Sequence, residues 1–145
     1  MPQRISQRLL EIVNALPLKS GIRILEIGCG TGAAAREISK RIGNGHILAV
    51  DRSAKAIQQA IAGSQTEIET GRLSFRQVAI ENFGLENGEK LFDMAIAVRV
   101  GALDGRHPEI ETQALFRIAR ALTKEGKLFI DGGNPLKEIS LGGYR

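Results

Sequence analysis

Apolar residues recur along this chain in two rhythms, one with the spacing of a helix face and one with the continuity of a buried strand. Ile5, Leu9, Ile12, Val13 and Leu16 share one face of a helix expected over about residues 3–16, and "PLKSG" at 17–21 breaks it. "RILEIG" at 23–28 reads as a strand. The helix that follows turns Ala34, Ala35, Ile38 and Ile42 inward, and the glycines of "GNG" at 43–45 close it. "HILAVD" at 46–51 is a second strand, after which Ser53 is placed to cap the helix "SAKAIQQAIAG".

"RLSFRQVAI" at 72–80 alternates more than the first two strands, so less burial is expected of it. "LFDMAIAVRV" at 91–100 is apolar almost throughout, which a strand covered on both faces requires. Ile110, Leu115, Ile118, Ala119 and Leu122 then mark a helix over 107–122 with Pro108 in its first turn, and "GKLFID" at 126–131 is a fifth strand. Strands that alternate with helices in this way predict an α/β domain, a doubly wound and mostly parallel sheet. The tail from Gly132 reads as irregular, so the sheet is expected to be truncated after its fifth strand, with residues 1–145 as one domain and 1–20 as a covering helix.

Composition narrows the picture. A chain of 145 residues with 43% hydrophobic and 25% charged residues is sized and balanced for one globular core. The net charge of +4 is scattered without a basic run, and five Phe, one Tyr and no Trp offer no stacking platform, so nucleic acid is an unlikely partner. No apolar stretch is long enough for a bilayer, and the opening segment lacks a secretory core. Cys29 is the single cysteine, which excludes an internal disulfide and four-ligand zinc spacings; a cytoplasmic location without a metal is expected.

The chemistry concentrates in the stretch after the first strand. Gly28, Gly30 and Gly32 stand at alternate positions between strand and helix, at the carboxyl end of the sheet where such folds bind ligands. Bare backbone there lets a ligand lie against the chain. Gly28, Gly30 and Ala33 also satisfy the looser dinucleotide pattern G-x-G-x-x-A, so the glycines alone leave the ligand open. Glu26 shifts the balance, because a carboxylate two residues before the loop opposes a pyrophosphate and suits a ligand that carries positive charge.

"EIGCGTG" at 26–32 resembles the first motif of the class I S-adenosylmethionine-dependent methyltransferases, acidic-x-G-x-G-x-G, at every fixed position. "ILAVDRS", "LFDMAIA" and "ALTKEGKLFI" are similar, in order, to that family's second strand, fourth strand and the segment entering its fifth, so the resemblance spans roughly residues 20–131. It implies S-adenosylmethionine as cofactor, with Glu26 and the backbone of Gly28, Cys29, Gly30 and Gly32 around the methionine part. Asp51 would accept from both ribose hydroxyls, with Arg52 beside it; Ala79 and Ile80 would face adenine, and Val98 completes the set. Ala79 departs from the Asp that many members carry, and "KEG" replaces the usual Pro-Gly-Gly.

Other residues carry two readings each. Arg99, at the carboxyl end of the fourth strand, could reach the methyl or an acidic acceptor, or be a rim charge. His107 could act as a base or be an exposed loop residue. Asp93 and His46 fall at the opposite end of the sheet and are expected to be structural, and Cys29 to be a packing choice. The resemblance implies methyl transfer to a small-molecule acceptor, since "AVRVGALDG" lacks the Asn-Pro-Pro-aromatic motif and no carboxylate ladder for a metal is present. Two rival readings stand beside it. One is an inactive cofactor-binding module that supports a partner or a second copy through an unpaired fifth-strand edge; the other is an NAD(P)-dependent oxidoreductase domain.

Overall fold

The computed structural model describes residues 4–103 and 105–145. Five of its strands are parallel: β1 (Arg23–Ile27), β2 (His46–Asp51), β3 (Leu73–Gln77), β4 (Phe92–Ala97) and β5 (Leu122–Asp131). The order across the sheet is β3-β2-β1-β4-β5-β6, where β6 (Leu136–Ile139) pairs antiparallel with β5. The chain reverses its direction of travel across the sheet at β1, whose neighbours are β2 and β4, and that is where an open α/β sheet leaves a crevice.

Side-chain alternation divides the core into two layers. Leu25, Ile27, Leu48, Val50 and Phe92 point toward α5 (Pro108–Ala121) and the 80–85 segment, whereas Ile24, Ile47, Ala49, Met94 and Ile96 face the other helices. On that second face lie α1 (Gln7–Ala15) and α2 (Ala33–Ser39), together with α3 (Ala54–Ala62). Ala34, Ala35, Ile38 and Ile42 are all buried as their spacing predicts. Ser53 caps α3 by accepting the Ala56 amide at 3.1 Å, and Ser6 caps α1 in the same way through Leu9. The opening helix starts later than expected, at Gln7; Gln3 lies outside the described residues. The periodicity gave no hint of α4 (Gln65–Glu69), a short helix with no buried residue. Among the described residues no helix is long and apolar enough to cross a membrane.

The tail departs from expectation. Residues 132–145 are not irregular throughout, because Gly132, at φ +113°, starts a hairpin that lays Leu136 to Ile139 along β5 from Asp131 back to Leu128. The β5 edge proposed for self-association is therefore occupied within the chain, and the outer edge is instead a four-residue strand whose Lys137 and Glu138 are exposed, a composition that discourages edge pairing. Four residues with one apolar alternation are too few for a pattern to declare itself. β5 also begins earlier than expected, at Leu122: the register slips between Phe92 and Met94, and Gly126 lets the extra residues fold back where a Cβ would stand 2.9 Å from that of Leu122. Arg145 fastens this bulge by donating to the carbonyls of Thr123 and Gly126.

Candidate active site

The carboxyl ends of β1, β2 and β4 border a cavity of about 480 Å³. Gly28, Asp51, Arg52, Ala79 and Ile80 line it, as do Arg99 and His107, so the structure brings together seven of the residues singled out in the sequence. Glu26, Cys29, Gly30, Gly32 and Val98 stand outside that lining. Val98 is half-buried among the residues that face α1 and α2, because β4 alternation turns it away from the α5 side. Cys29 is buried in the same layer, and burial, with Glu26 and Asp51 nearby, raises its thiol above the ordinary value, so it stays protonated.

Asp51 organises the loop. One carboxylate oxygen accepts the Gly30 amide at 2.9 Å and the other the Ser53 amide at 2.9 Å, so a single side chain ties the glycine loop to the turn that starts α3. Each oxygen keeps a second lone pair and Asp51 lines the cavity, which suits a ligand with two neighbouring hydroxyls. The Gly28 and Cys29 amides both donate to the Val50 carbonyl, leaving neither for a ligand. Gly30, at φ +55°, has nothing within 4 Å of where a Cβ would lie, so bare backbone faces open space there.

Glu26 is 4% exposed, and its Oε1 has no hydrogen-bond partner among the described residues. Burial first, then the Asp51 charge, pushes its carboxyl up to about 8, against the lowering influence of Arg36. A buried acid with an unused acceptor beneath a glycine loop fits a ligand that brings a positive charge. Val78, Ala79 and Ile80 add an apolar wall next to Asp51, of the kind a flat heterocycle packs against. A cationic sulfonium nucleoside thus matches this donor and acceptor set, whereas a pyrophosphate would meet the Asp51 carboxylate at the cavity rim.

Sequence reasoning missed two residues. Arg36, 7% exposed, donates to the Thr31 carbonyl at 2.8 Å and to Ser64 Oγ at 3.0 Å, bracing the glycine loop from behind. Nothing in "AAAREIS" distinguishes it from the exposed Lys40 one turn later. Asp131, at the end of β5, accepts the Arg99 amide at 3.0 Å and the Arg8 guanidinium at 3.1 Å. It holds Arg99 at φ +56°, the left-handed conformation that a non-glycine residue rarely adopts. Its position closing a parallel strand was the available signal.

Asp93 and His46 take structural parts at the far end of the sheet. Asp93 accepts the Arg23 amide at 2.9 Å, and the ring nitrogens of His46 engage the Gly71 carbonyl and Ser74 Oγ. His107 is exposed at the start of α5 and makes no side-chain capping bond.

Known proteins resemble this chain in sequence and in fold. A methyltransferase domain family matches residues 18–140. Nocamycin O-methyltransferase of Saccharothrix syringae is 29% identical over 144 residues, 97% of this chain and 48% of the relative. Malonyl-[acyl-carrier protein] O-methyltransferase of Bacillus cereus is 39% identical over 67 residues, 46% of this chain and 23% of the relative. The chain thus spans about half the length, or less, of these curated relatives. Among solved structures, an S-adenosylmethionine-dependent methyltransferase from Thiobacillus denitrificans in complex with S-adenosylhomocysteine superposes with a TM-score of 0.67 at 18% identity, covering 90% of this chain and 50% of that one. The glycine loop, the Asp51 clamp and the sheet order lie inside the matched region, and the chain belongs to the S-adenosylmethionine-dependent methyltransferase family.

Proposed function

We propose that this chain binds S-adenosylmethionine in the cavity at the β1, β2 and β4 ends and presents it to a small-molecule acceptor for methyl transfer. The observation that carries the reading is Asp51, fixed by two backbone amides at the cavity rim with acceptor capacity to spare. The cofactor supplies an electrophilic methyl group on a positively charged sulfur. This chain's residues bind and orient. Asp51 accepts from the ribose hydroxyls, Ile80 and its neighbours exclude water from the base, and Glu26 offers a buried carboxylate to positive charge. Arg99 and His107 border the same cavity and so stand where an acceptor would enter. Nocamycin O-methyltransferase, among the relatives, is named for a small-molecule product and supports an acceptor of that type.

Calorimetric titration with S-adenosylmethionine, S-adenosylhomocysteine, NAD and NADP tests the proposal. Micromolar binding of the two sulfur compounds, roughly 8 kcal/mol, is expected, with neither dinucleotide bound. Asp51→Ala removes charge-assisted hydrogen bonds and should weaken binding by about a hundredfold. Binding of NAD alone, or sulfur-nucleoside affinity untouched by the substitution, defeats the assignment.

A further inference from the structure

A second, smaller cavity of about 280 Å³ opens between the carboxyl ends of β4 and β5 and the strand β6. Arg99 and Val100 line both this cavity and the larger one, so the two adjoin across the residue that leaves β4 in a left-handed conformation. Its floor is apolar, built by Ala97, Leu103 and Ile130. Among the described residues its charges are Arg99, Lys137 and Asp131. Asp131 is already engaged by the Arg8 guanidinium and the Arg99 amide, whereas among the described residues neither Arg99 nor Lys137 forms an ion pair. Lys137 reaches the site from the hairpin strand, its Cε 3.8 Å from where a Cβ on Gly132 would lie. Two cations without ion-pair partners around an apolar floor, with the local carboxylate already paired to Arg8, make a seat for an oxyanion attached to a small apolar body.

We propose that this cavity is the acceptor subsite and that it selects acceptors carrying a carboxylate or phosphate, held by Arg99 and Lys137. The inference rests on the cofactor reading above for the word acceptor, but the anion seat itself does not. Arg99 spans both cavities, so an anion held there places its attached body against the larger one. β6 acquires a role here, since it delivers Lys137 opposite Ile130 in the antiparallel register.

Nuclear magnetic resonance titration of the full chain, with and without saturating S-adenosylhomocysteine, reads this directly. Benzoate, phenyl phosphate and the neutral benzamide serve as probes of one size. At least one anion should bind with roughly millimolar affinity, shifting the amides of Arg99, Asp131 and Lys137, and benzamide should bind about tenfold more weakly. Tighter binding of phenyl phosphate assigns a phosphate-bearing acceptor, and tighter binding of benzoate a carboxylate. Lys137→Gln should weaken the anions several-fold and leave S-adenosylhomocysteine binding as it was; Arg99→Gln should weaken the anions and spare benzamide. Equal affinity for benzamide and the anions, absence of anion binding at 10 mM, roughly ten times the expected constant, or indifference to Lys137→Gln overturns the proposal. If S-adenosylhomocysteine fails to bind while the anions do, the cofactor reading falls and the anion seat stands.

Discussion

Glu26 shows how one residue couples folding to pH. Its carboxyl holds a proton up to about pH 8 in the folded chain and only to an ordinary 4.5 when exposed. Between those values the folded state binds more protons than the unfolded one, so stability is full below pH 4.5 and falls as pH rises toward 8. The slope reaches about 1.4 kcal/mol per pH unit at most. Urea unfolding across that window should show the wild type losing stability and Glu26→Gln holding nearly level; parallel curves for the two proteins would mean that Glu26 is ionised throughout. The same proton matters for binding, since a cation beside Glu26 draws it off, so affinity for S-adenosylmethionine should increase as pH approaches 8.

At the scale of elements, β6 completes the sheet and shields it. Without it, the β5 backbone from Leu128 to Asp131 would present unpaired amides and carbonyls beside apolar side chains. A chain shortened after Asp131 is expected to self-associate at micromolar concentration in analytical ultracentrifugation, where the full chain sediments as one species; a shortened chain that stays monodisperse would show that the hairpin is dispensable as an edge guard. Helices were easier to foresee than this strand. Ser53 and the spacing of Ala34, Ala35, Ile38 and Ile42 announce themselves locally, while a four-residue strand depends on partners 5 to 11 residues away in another strand.

Over the whole molecule, the opening helix reaches the far end of the chain through Arg8 and Asp131, yet apolar packing is what seats it. Ile12 is 1% exposed, whereas the Arg8 side chain is 54% exposed, where a salt bridge contributes about 0–1 kcal/mol. Ile12→Ala should therefore cost about 2–5 kcal/mol in denaturant unfolding, and Arg8→Ala less than about 1 kcal/mol. The reverse ranking would show that the ion pair, not the buried face, docks α1.

The strand and helix alternation, the glycine loop at the end of the first strand and the carboxylate that ends the second are legible in the residues alone. Those features are local: each depends on residue spacing or on backbone freedom at a few neighbouring positions, and the ordered motifs carried the family resemblance with them. The remaining features emerge on folding. Burial of Arg36, the left-handed turn at Arg99 and the pairing of β6 arise from contacts with Ser64, Asp131 and β5, between 5 and 32 residues away, and no local pattern records such partners. The physical reason is that a side chain's charge state and exposure belong to its surroundings, and chain folding alone assembles those surroundings.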